Sequence, residues 1–265
     1  MIGELNRSLE QNPFANLTTL VPDWGVSSAV TAFSTTRLGG VSPPPFDSLN
    51  LGLHVGDDHS NVLENRRRLQ DSLALPSEPM WLNQTHSATM VQVKDAQSAL
   101  LNNEADGAWT QSHDTVIAVM TADCLPVVIS DSSGTRLAVV HAGWRGLAEG
   151  ILDNALSVFP KDATLHAWLG PAIGPQHFEV GEEVRKAFLS RRDSHDSAFV
   201  KTNQKGKYLA NLYAIATSEL QTDHDVSVSG GEYCTYEQQQ WFHSHRRDGK
   251  RSGRMVTVAW IGATG

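Results

Sequence analysis

Cysteine is scarce in this chain, and long apolar runs are absent. The 265 residues include two cysteines, Cys124 and Cys234, which are too few for the disulfide framework of a small secreted domain. No segment approaches the roughly 18 consecutive apolar residues of a membrane span. Residues 1–14 lack the basic and apolar regions of a secretory signal. We therefore expect a cytoplasmic protein with reduced cysteines and no membrane partner.

Positive charge is also in deficit. The chain has 21 Lys and Arg residues against 29 Asp and Glu residues, which gives a net charge of −8. This balance argues against a nucleic-acid partner, because such a protein needs a basic face. A small anionic substrate remains compatible with the charge, since a few arginines can bind phosphate on an acidic protein.

Several common active-site motifs are missing. The sequence has no G-x-x-x-x-G-K-[ST] phosphate loop, no G-x-S-x-G nucleophile elbow and no G-x-G-x-x-G dinucleotide turn. The P-C-x-x-C half of the nucleobase-deaminase signature is also absent, because Cys124 and Cys234 are 110 positions apart (234 − 124). These absences exclude the most familiar nucleotide-dependent and serine-hydrolase sites.

The patterning predicts an α+β fold in which mixed or antiparallel sheets are flanked by helices. Predicted strands cover 29–34, 88–94, 115–120, 126–130, 136–141, 164–169, 225–229 and 255–261, and predicted helices cover 58–75, 146–159, 180–190 and 208–221. The turn near residue 133 is too short for a parallel crossover, which disfavours a doubly wound sheet. No linker composition divides the chain, so we expect a loose leader over 1–19 and one domain over 20–265.

The predicted hairpin suggests a metal site. If Ser132 and Ser133 form its two-residue loop, the residue numbers of paired positions on the two strands add up to 265. Cys124 then lies directly opposite His141, with Cβ atoms about 5 Å apart. Cysteine and histidine are zinc ligands, and a third nitrogen would complete a catalytic site with one open position. Alternatively, both residues belong to the core. Spacing does not select the third ligand among eleven histidines, although His86 precedes a predicted strand.

Other residues near these segments are candidates for chemistry. Arg145 lies between Gly143 and Gly146, where a helix is predicted to begin, an arrangement that suits an anion site or simply a tight turn. Arg37, beside a Gly-Gly pair, has the same two interpretations. Cys124 with His141 could instead form a thiol hydrolase in which Cys124 is the nucleophile.

These segments resemble the YfiH family, also called the laccase-domain family. The resemblance spans about 33–261 and rests on the following motifs: Gly39-Gly40-Val41-Ser42, Leu49-Asn50-Leu51-Gly52, Asn65-Arg66, Gln84-Thr85-His86, Ala122-Asp123-Cys124-Leu125-Pro126, His141-Ala142-Gly143-Trp144-Arg145-Gly146, Gly170-Pro171-Ala172-Ile173-Gly174, Val180-Gly181, Cys234-Thr235, Ser244-His245-Arg246-Arg247-Asp248 and Ser252-Gly253-Arg254. It implies His86, Cys124 and His141 as the zinc ligands. It also implies a sandwich fold similar to the cytotoxic necrotizing factor domain.

The resemblance further implies a zinc-dependent purine nucleoside phosphorylase with adenosine deaminase activity. Its substrates would be phosphate and adenosine, inosine, guanosine or methylthioadenosine. The alternatives are an amide hydrolase that edits a cell-wall precursor carrying serine in place of alanine (UDP-MurNAc-L-serine), a copper polyphenol oxidase, and a non-catalytic zinc-stabilised binding protein. Copper is less expected than zinc, because a multicopper oxidase needs many histidines in H-x-H and H-C-H pairs, and 243–245 is the only such pair here.

Roles follow for individual residues under this hypothesis. For deamination, Asp123 is the nearest candidate proton carrier. For phosphorolysis, Arg37 and Arg145 are the candidate phosphate ligands, and we add Asn50 and Gln84 as candidate substrate-binding residues. We expect Cys234 to contribute packing only. The oligomeric state stays open.

Overall fold

Two six-stranded mixed sheets and a small three-stranded sheet form the framework of the protein. The computed structural model describes residues 9–11, 17–95, 104–222 and 225–262. Sheet I has the order β1 (Leu9–Gln11), β2 (Thr18–Leu20), β3 (Val30–Thr35), β15 (Met255–Ile261), β7 (Ile117–Thr121), β4 (Met80–Trp81). Sheet II has the order β14 (Val226–Gly230), β10 (Leu165–Leu169), β8 (Leu125–Asp131), β9 (Leu137–Ala142), β6 (Gly107–Thr110), β5 (Met90–Gln92). The small sheet has the order β11 (Glu179–Gly181), β13 (Lys207–Ala210), β12 (Phe199–Lys201).

Sheets I and II pack face to face between helices. Because strand side chains alternate between faces, Val128 of β8 and Val139 of β9 join Val119 of sheet I in the central core. Their neighbours Val127 and Val140 point to the opposite face and pack under helices. Both faces of sheet II are therefore buried, which explains the continuous apolar runs of β8 and β9. The predicted α+β sandwich is confirmed.

Six α-helices cover the sheets in the part of the chain that the structure describes. They are α1 (His59–Ser72), α2 (Trp144–Glu149), α3 (Ile151–Ser157), α4 (Glu182–Leu189), α5 (Leu212–Thr222) and α6 (His245–Asp248), with a 3₁₀ helix at Asp193–Ala198. Helix α1 begins at Asp58, whose side chain accepts a hydrogen bond from the Ser60 amide. It packs Leu69 on the outer face of sheet I. None of the helices among these residues is long and apolar enough to cross a membrane.

Two helix predictions need correction. The helix predicted over 146–159 is broken into α2 and α3 at Gly150, which adopts φ 90°, a conformation that glycine tolerates and an ordinary helix excludes. The helix predicted over 208–221 begins only at Leu212, because 207–210 form strand β13 between β11 and β12. Tyr208 and Ala210 of this strand are buried alternately, a pattern too short to identify in the sequence.

The predicted hairpin register is also wrong by two positions. Pro126 pairs with His141 and Leu125 with Ala142, so opposed positions sum to 267. The loop has four residues, 132–135, because the Asp131 carboxylate accepts hydrogen bonds from the amides of Thr135 and Arg136. Cys124 therefore lies just beyond the last strand pair and not directly opposite His141.

Part of the predicted leader lies in sheet I. Within 1–19, Leu9–Gln11 pairs with 18–20 in antiparallel fashion, while 1–8 and 12–16 lie outside the described residues. The division into a leader and a domain over 20–265 stays a prediction.

Candidate metal centre

His86, Cys124 and His141 converge on one point. One ligand atom from each residue lies within 4.8 Å of the others, and the Cys124 sulfur is 4.0 Å from His86 Nε2. The two imidazole rings meet edge to face with centroids 4.9 Å apart. His141 is buried, Cys124 is half-buried and His86 is exposed, so the cluster is open to solvent on one side.

Two of the three residues come from places where the chain passes between the two sheets, and the third lies on a strand of sheet II. His86 lies between β4 of sheet I and β5 of sheet II, and Cys124 lies between β7 of sheet I and β8 of sheet II. His141 is on β9, next to β8. The paired strands therefore bring side chains together that are far apart in sequence.

Two residues of these connections have unusual backbone conformations. His86 has φ 62° and Asp123 has φ 86°, in the left-handed region that residues other than glycine seldom occupy. Hydrogen bonds hold both in place: the His86 amide donates to Asp106, and the Asp123 carboxylate is bound on both oxygens. Such conformations cost about 1–3 kcal/mol each and cluster at functional sites.

Gly143 leaves the space that this cluster needs. A Cβ atom added there would lie 3.1 Å from the Cys124 sulfur, 3.2 Å from His86 Cδ2 and 3.6 Å from His141 Cε1. The backbone of Gly143 is extended, with φ −66° and ψ 160°. The requirement for glycine is therefore steric and not conformational.

Asp106, which the sequence analysis missed, organises the site. Its fully buried carboxylate lies 2.7 Å from His141 Nδ1 and accepts hydrogen bonds from the backbone amides of Thr85, His86 and Ser87. Burial alone would raise the pKa of Asp106, but the hydrogen bonds from His141 and Ser87 outweigh it and hold the pKa well below its usual range. The bond from Nδ1–H orients the His141 ring and leaves Nε2 for a ligand.

The charges around Cys124 favour its thiolate. Burial raises the pKa of the thiol, whereas the charge and hydrogen bond of His141, followed by those of His86, outweigh burial and lower the pKa to about 6. Burial likewise lowers the pKa of His141, but Cys124 and Asp106 raise it to about 9. A thiolate is the form in which cysteine binds metals or acts as a nucleophile.

Both oxygens of the Asp123 carboxylate accept hydrogen bonds within the protein. Its Oδ1 accepts a hydrogen bond of 2.6 Å from the Thr235 hydroxyl, and its Oδ2 accepts one of 2.6 Å from the Arg246 amide. Asp123 thereby ties the Cys124 loop to two segments that follow β14. Its role as a proton carrier stays a prediction.

Three of the four predicted substrate residues have structural partners. The Gln84 amide binds both backbone groups of Met120. The buried Asn50 amide binds Gly52, Asp57 and the Arg254 backbone. Arg37 binds the Asp47 carboxylate and the carbonyls of Asp47 and Gln239. These contacts give each of the three a role in holding loops, and substrate binding by them stays a prediction.

Arg145 is placed differently from those three residues. It is exposed, and its guanidinium lies over the Trp144 ring at 4.4 Å. Among the described residues it makes neither a hydrogen bond nor an ion pair. Its N–H groups are therefore available to a ligand.

Arg254 is a further cation that the sequence analysis did not single out. Burial lowers its pKa, and the nearby charges of Cys124 and Asp123 act in the opposite direction. Its Nη1 donates to the carbonyls of Ser252 and Gly253. A half-buried guanidinium thus stands close enough to the thiolate to interact with it, and only the tertiary fold reveals this.

Sequence comparison identifies the family. Residues 31–262 match the family described as multi-copper polyphenol oxidoreductase laccase, and the chain belongs to this family. Among its relatives is the purine nucleoside phosphorylase YfiH of Shigella flexneri, 45% identical over 243 residues that cover 91% of this chain and 98% of the relative. A purine nucleoside phosphorylase of Pseudomonas aeruginosa is 46% identical over 245 residues, with the same shares covered.

Solved structures agree with this assignment. A Neisseria meningitidis protein of the family DUF152 superposes with a TM-score of 0.85 at 40% identity, covering 92% of this chain and 99% of its own. A Bacillus licheniformis protein titled hypothetical protein YfiH superposes with a TM-score of 0.84 at 30% identity, covering 95% and 98%. The predicted resemblance to the YfiH family is confirmed.

Proposed function

We propose that the protein is a zinc-dependent purine nucleoside phosphorylase with adenosine deaminase activity, acting on adenosine, inosine, guanosine and methylthioadenosine in the cytoplasm. The observation that carries this proposal is the convergence of His86, Cys124 and His141, with Asp106 orienting one imidazole. The names of the relatives at 45% and 46% identity support the reaction class.

The donor set fits zinc. One thiolate and two imidazoles are ligands of zinc and related soft or borderline metals, whereas calcium and magnesium prefer oxygen ligands. A zinc ion held there would supply a Lewis acid with one open coordination position. The exposure of His86 supports access of a substrate to that side.

Phosphorolysis requires the chain to bind an anion next to a nucleoside. A phosphate oxygen attacks C1′ of the ribose while the bond to the purine nitrogen breaks, so the site must hold phosphate against the sugar. Arg145 is the favoured phosphate ligand, because its guanidinium is exposed and it lies two positions after Gly143, which borders the cluster. Arg254 is a second candidate because it stands near Cys124. Arg37 is less favoured because Asp47 and Gln239 occupy it.

The test is product analysis. Purified protein is incubated with adenosine, with and without phosphate, and the products are separated by chromatography. Adenine and ribose 1-phosphate that appear only with phosphate support phosphorolysis, and inosine supports deamination. His86→Ala should lose both activities, while His59→Ala, which alters an exposed histidine at the start of α1, should retain them. Absence of all these products from the zinc-loaded protein would overturn the proposal.

A thiol hydrolase acting on an amide bond is the second candidate. Cys124, His141 and Asp106 lie in the order of a nucleophile, a base and an orienting carboxylate. However, a triad does not use a second histidine on the same sulfur, whereas His86 lies 4.0 Å from it. This additional imidazole favours the metal centre.

Metal analysis of Cys124→Ala separates the two candidates. As a metal ligand, Cys124 should be as necessary for zinc as His86 and His141, and the three losses should not add, because the residues act as one unit. As a nucleophile, Cys124 should react rapidly with iodoacetamide, and Cys124→Ala should keep full zinc. About one zinc per wild-type chain is expected at this centre, and copper in excess of zinc would favour the oxidase.

A further inference from the structure

A second group of metal-ligating side chains, His177, Cys234 and Glu237, lies outside the site described above. One ligand atom from each lies within 4.8 Å of the others, and His177 Nε2 is 3.8 Å from Glu237 Oε2. We propose that these three residues form a second site for a zinc-class divalent cation. The proposal concerns binding only and does not depend on the proposed function.

Two backbone amides point at the Cys234 sulfur. It accepts hydrogen bonds from the Gly174 amide at 3.2 Å and the Glu237 amide at 3.4 Å. These two contacts fix the position of the sulfur, which is the ligand atom that the group offers to a metal. A Cβ atom at Gly174 would lie 3.0 Å from this sulfur, so glycine keeps the approach open. These surroundings go beyond the packing role that we expected for Cys234.

A stacking contact restricts the imidazole ring of His177 in this group. The ring of His177 stacks on Tyr236 with centroids 4.5 Å apart and an interplanar angle of 19°. This contact restricts the ring before any ligand arrives. Because less side-chain freedom is lost on binding, the stacking favours metal affinity.

Convergence distinguishes this group from a catalytic triad. In a triad, the nucleophile and the carboxylate bind opposite nitrogens of the imidazole. Here a single ring nitrogen of His177 lies within 4.8 Å of both the sulfur and a carboxylate oxygen. Three donors around one point is the arrangement that a metal ion requires.

The donor types and the exposure indicate which metal binds and how tightly. A thiolate, an imidazole and a carboxylate are all zinc ligands, and three of them leave one position for water. The Glu237 side chain is 70% exposed and that of His177 is 31% exposed, so we expect exchangeable binding, weaker than at the first centre. Thr235 follows Cys234 and donates to Asp123, which precedes Cys124. The two clusters are therefore connected through one hydrogen bond.

The experiment counts zinc. Metal-free protein is titrated with zinc against a chromophoric competitor, and wild type should bind two equivalents. Cys234→Ala should bind one. Glu237→Gln should weaken binding of the second equivalent by at least the roughly 10–100-fold that loss of an outer-shell partner costs. Glu232→Gln, which alters an exposed carboxylate on the same segment, should leave both equivalents unchanged.

Cobalt identifies the sulfur independently. Cobalt(II) added to Cys124→Ala should still give a thiolate-to-metal charge-transfer band, and Cys124→Ala/Cys234→Ser should give none. A single zinc equivalent in wild type that is lost in Cys124→Ala and retained in Cys234→Ala overturns the proposal. So does a second equivalent that persists unchanged in Cys234→Ala and Glu237→Gln. Since Glu237 is exposed, its variant tests the site even if Cys234→Ala fails to fold.

Discussion

Replacement of Asp106 by asparagine should weaken zinc binding without removing any ligand. The carboxylate accepts hydrogen bonds from His141 Nδ1 and from three consecutive backbone amides, at distances of 2.6–3.1 Å. Asparagine retains one acceptor oxygen, and its NH₂ group must face donors. Asp106→Asn therefore leaves donors on one side of the amide unpaired, and it replaces the charged acceptor that orients the His141 ring by a neutral group.

The size of the effect follows from these contacts. Loss of a partner that orients a metal-binding histidine typically costs about 10–100-fold in metal affinity, or about 1.4–2.7 kcal/mol. A buried donor left without an acceptor costs about 1–3 kcal/mol of stability. One or two such donors should therefore lower the free energy of unfolding by about 1–6 kcal/mol.

Asp131→Asn is the matched control. Asp131 is another buried aspartate that accepts hydrogen bonds from backbone amides, those of Thr135 and Arg136, but it lies in the β8–β9 turn. Both variants should lose stability in urea unfolding, and only Asp106→Asn should lose zinc affinity in a competition titration. Equal losses of zinc affinity in the two variants would refute an orienting role for Asp106.

Three further outcomes are expected. Burial, reinforced by the charge of Arg37, lowers the pKa of His243 to about 3. Below about pH 6.5 the unfolded chain protonates this imidazole, whereas the folded chain keeps it neutral. The free energy of unfolding is therefore lowered by about 2 kcal/mol at pH 5 and is unaffected by this group above about pH 6.5. In urea unfolding, the free energy of unfolding of His243→Leu should fall by about 2 kcal/mol less than that of wild type between neutral pH and pH 5. An equal dependence on pH in the two proteins would contradict the lowered pKa of His243. Gly143→Ala should reduce zinc content because its Cβ would lie 3.1 Å from a ligand sulfur. Gly262→Ala, whose nearest contact is 3.4 Å, should not, and full zinc in Gly143→Ala would refute the steric argument. Arg145→Ala should raise the KM for phosphate more than it lowers kcat in the phosphorolysis assay, and an unchanged KM would remove Arg145 from the phosphate site.

Local sequence patterns predicted most of the framework. The strands β7, β8, β9 and β15 are apolar runs of five to seven residues, which the sequence makes easy to identify. The helix predicted over 58–75 corresponds to α1 at His59–Ser72. Short elements were missed because three or four residues carry too little pattern, as in β11 and β13. The break at Gly150 was missed because an isolated glycine does not always end a helix.

The site was predictable only in part. The family motifs single out His86, Cys124 and His141, but the hairpin register alone placed Cys124 wrongly because it ignored the Asp131 side chain. Asp106 could not be found from spacing, since its partners His141 and Ser87 are 35 and 19 positions away. Its importance depends on how β6 pairs with β9. The placement of Arg254 near Cys124 likewise depends on contacts between distant segments.

The position of the metal centre between the sheets has a thermodynamic consequence. His86 and Cys124 lie on two separate chain passages from sheet I to sheet II, and His141 belongs to sheet II. An ion bound by all three residues would link both connections between the sheets. It would lose at least one ligand once the sheets separate. By linkage, free zinc at 100 times its dissociation constant would add about 2.7 kcal/mol to the free energy of unfolding. Zinc supply would then affect the equilibrium stability of the folded chain as well as its chemistry.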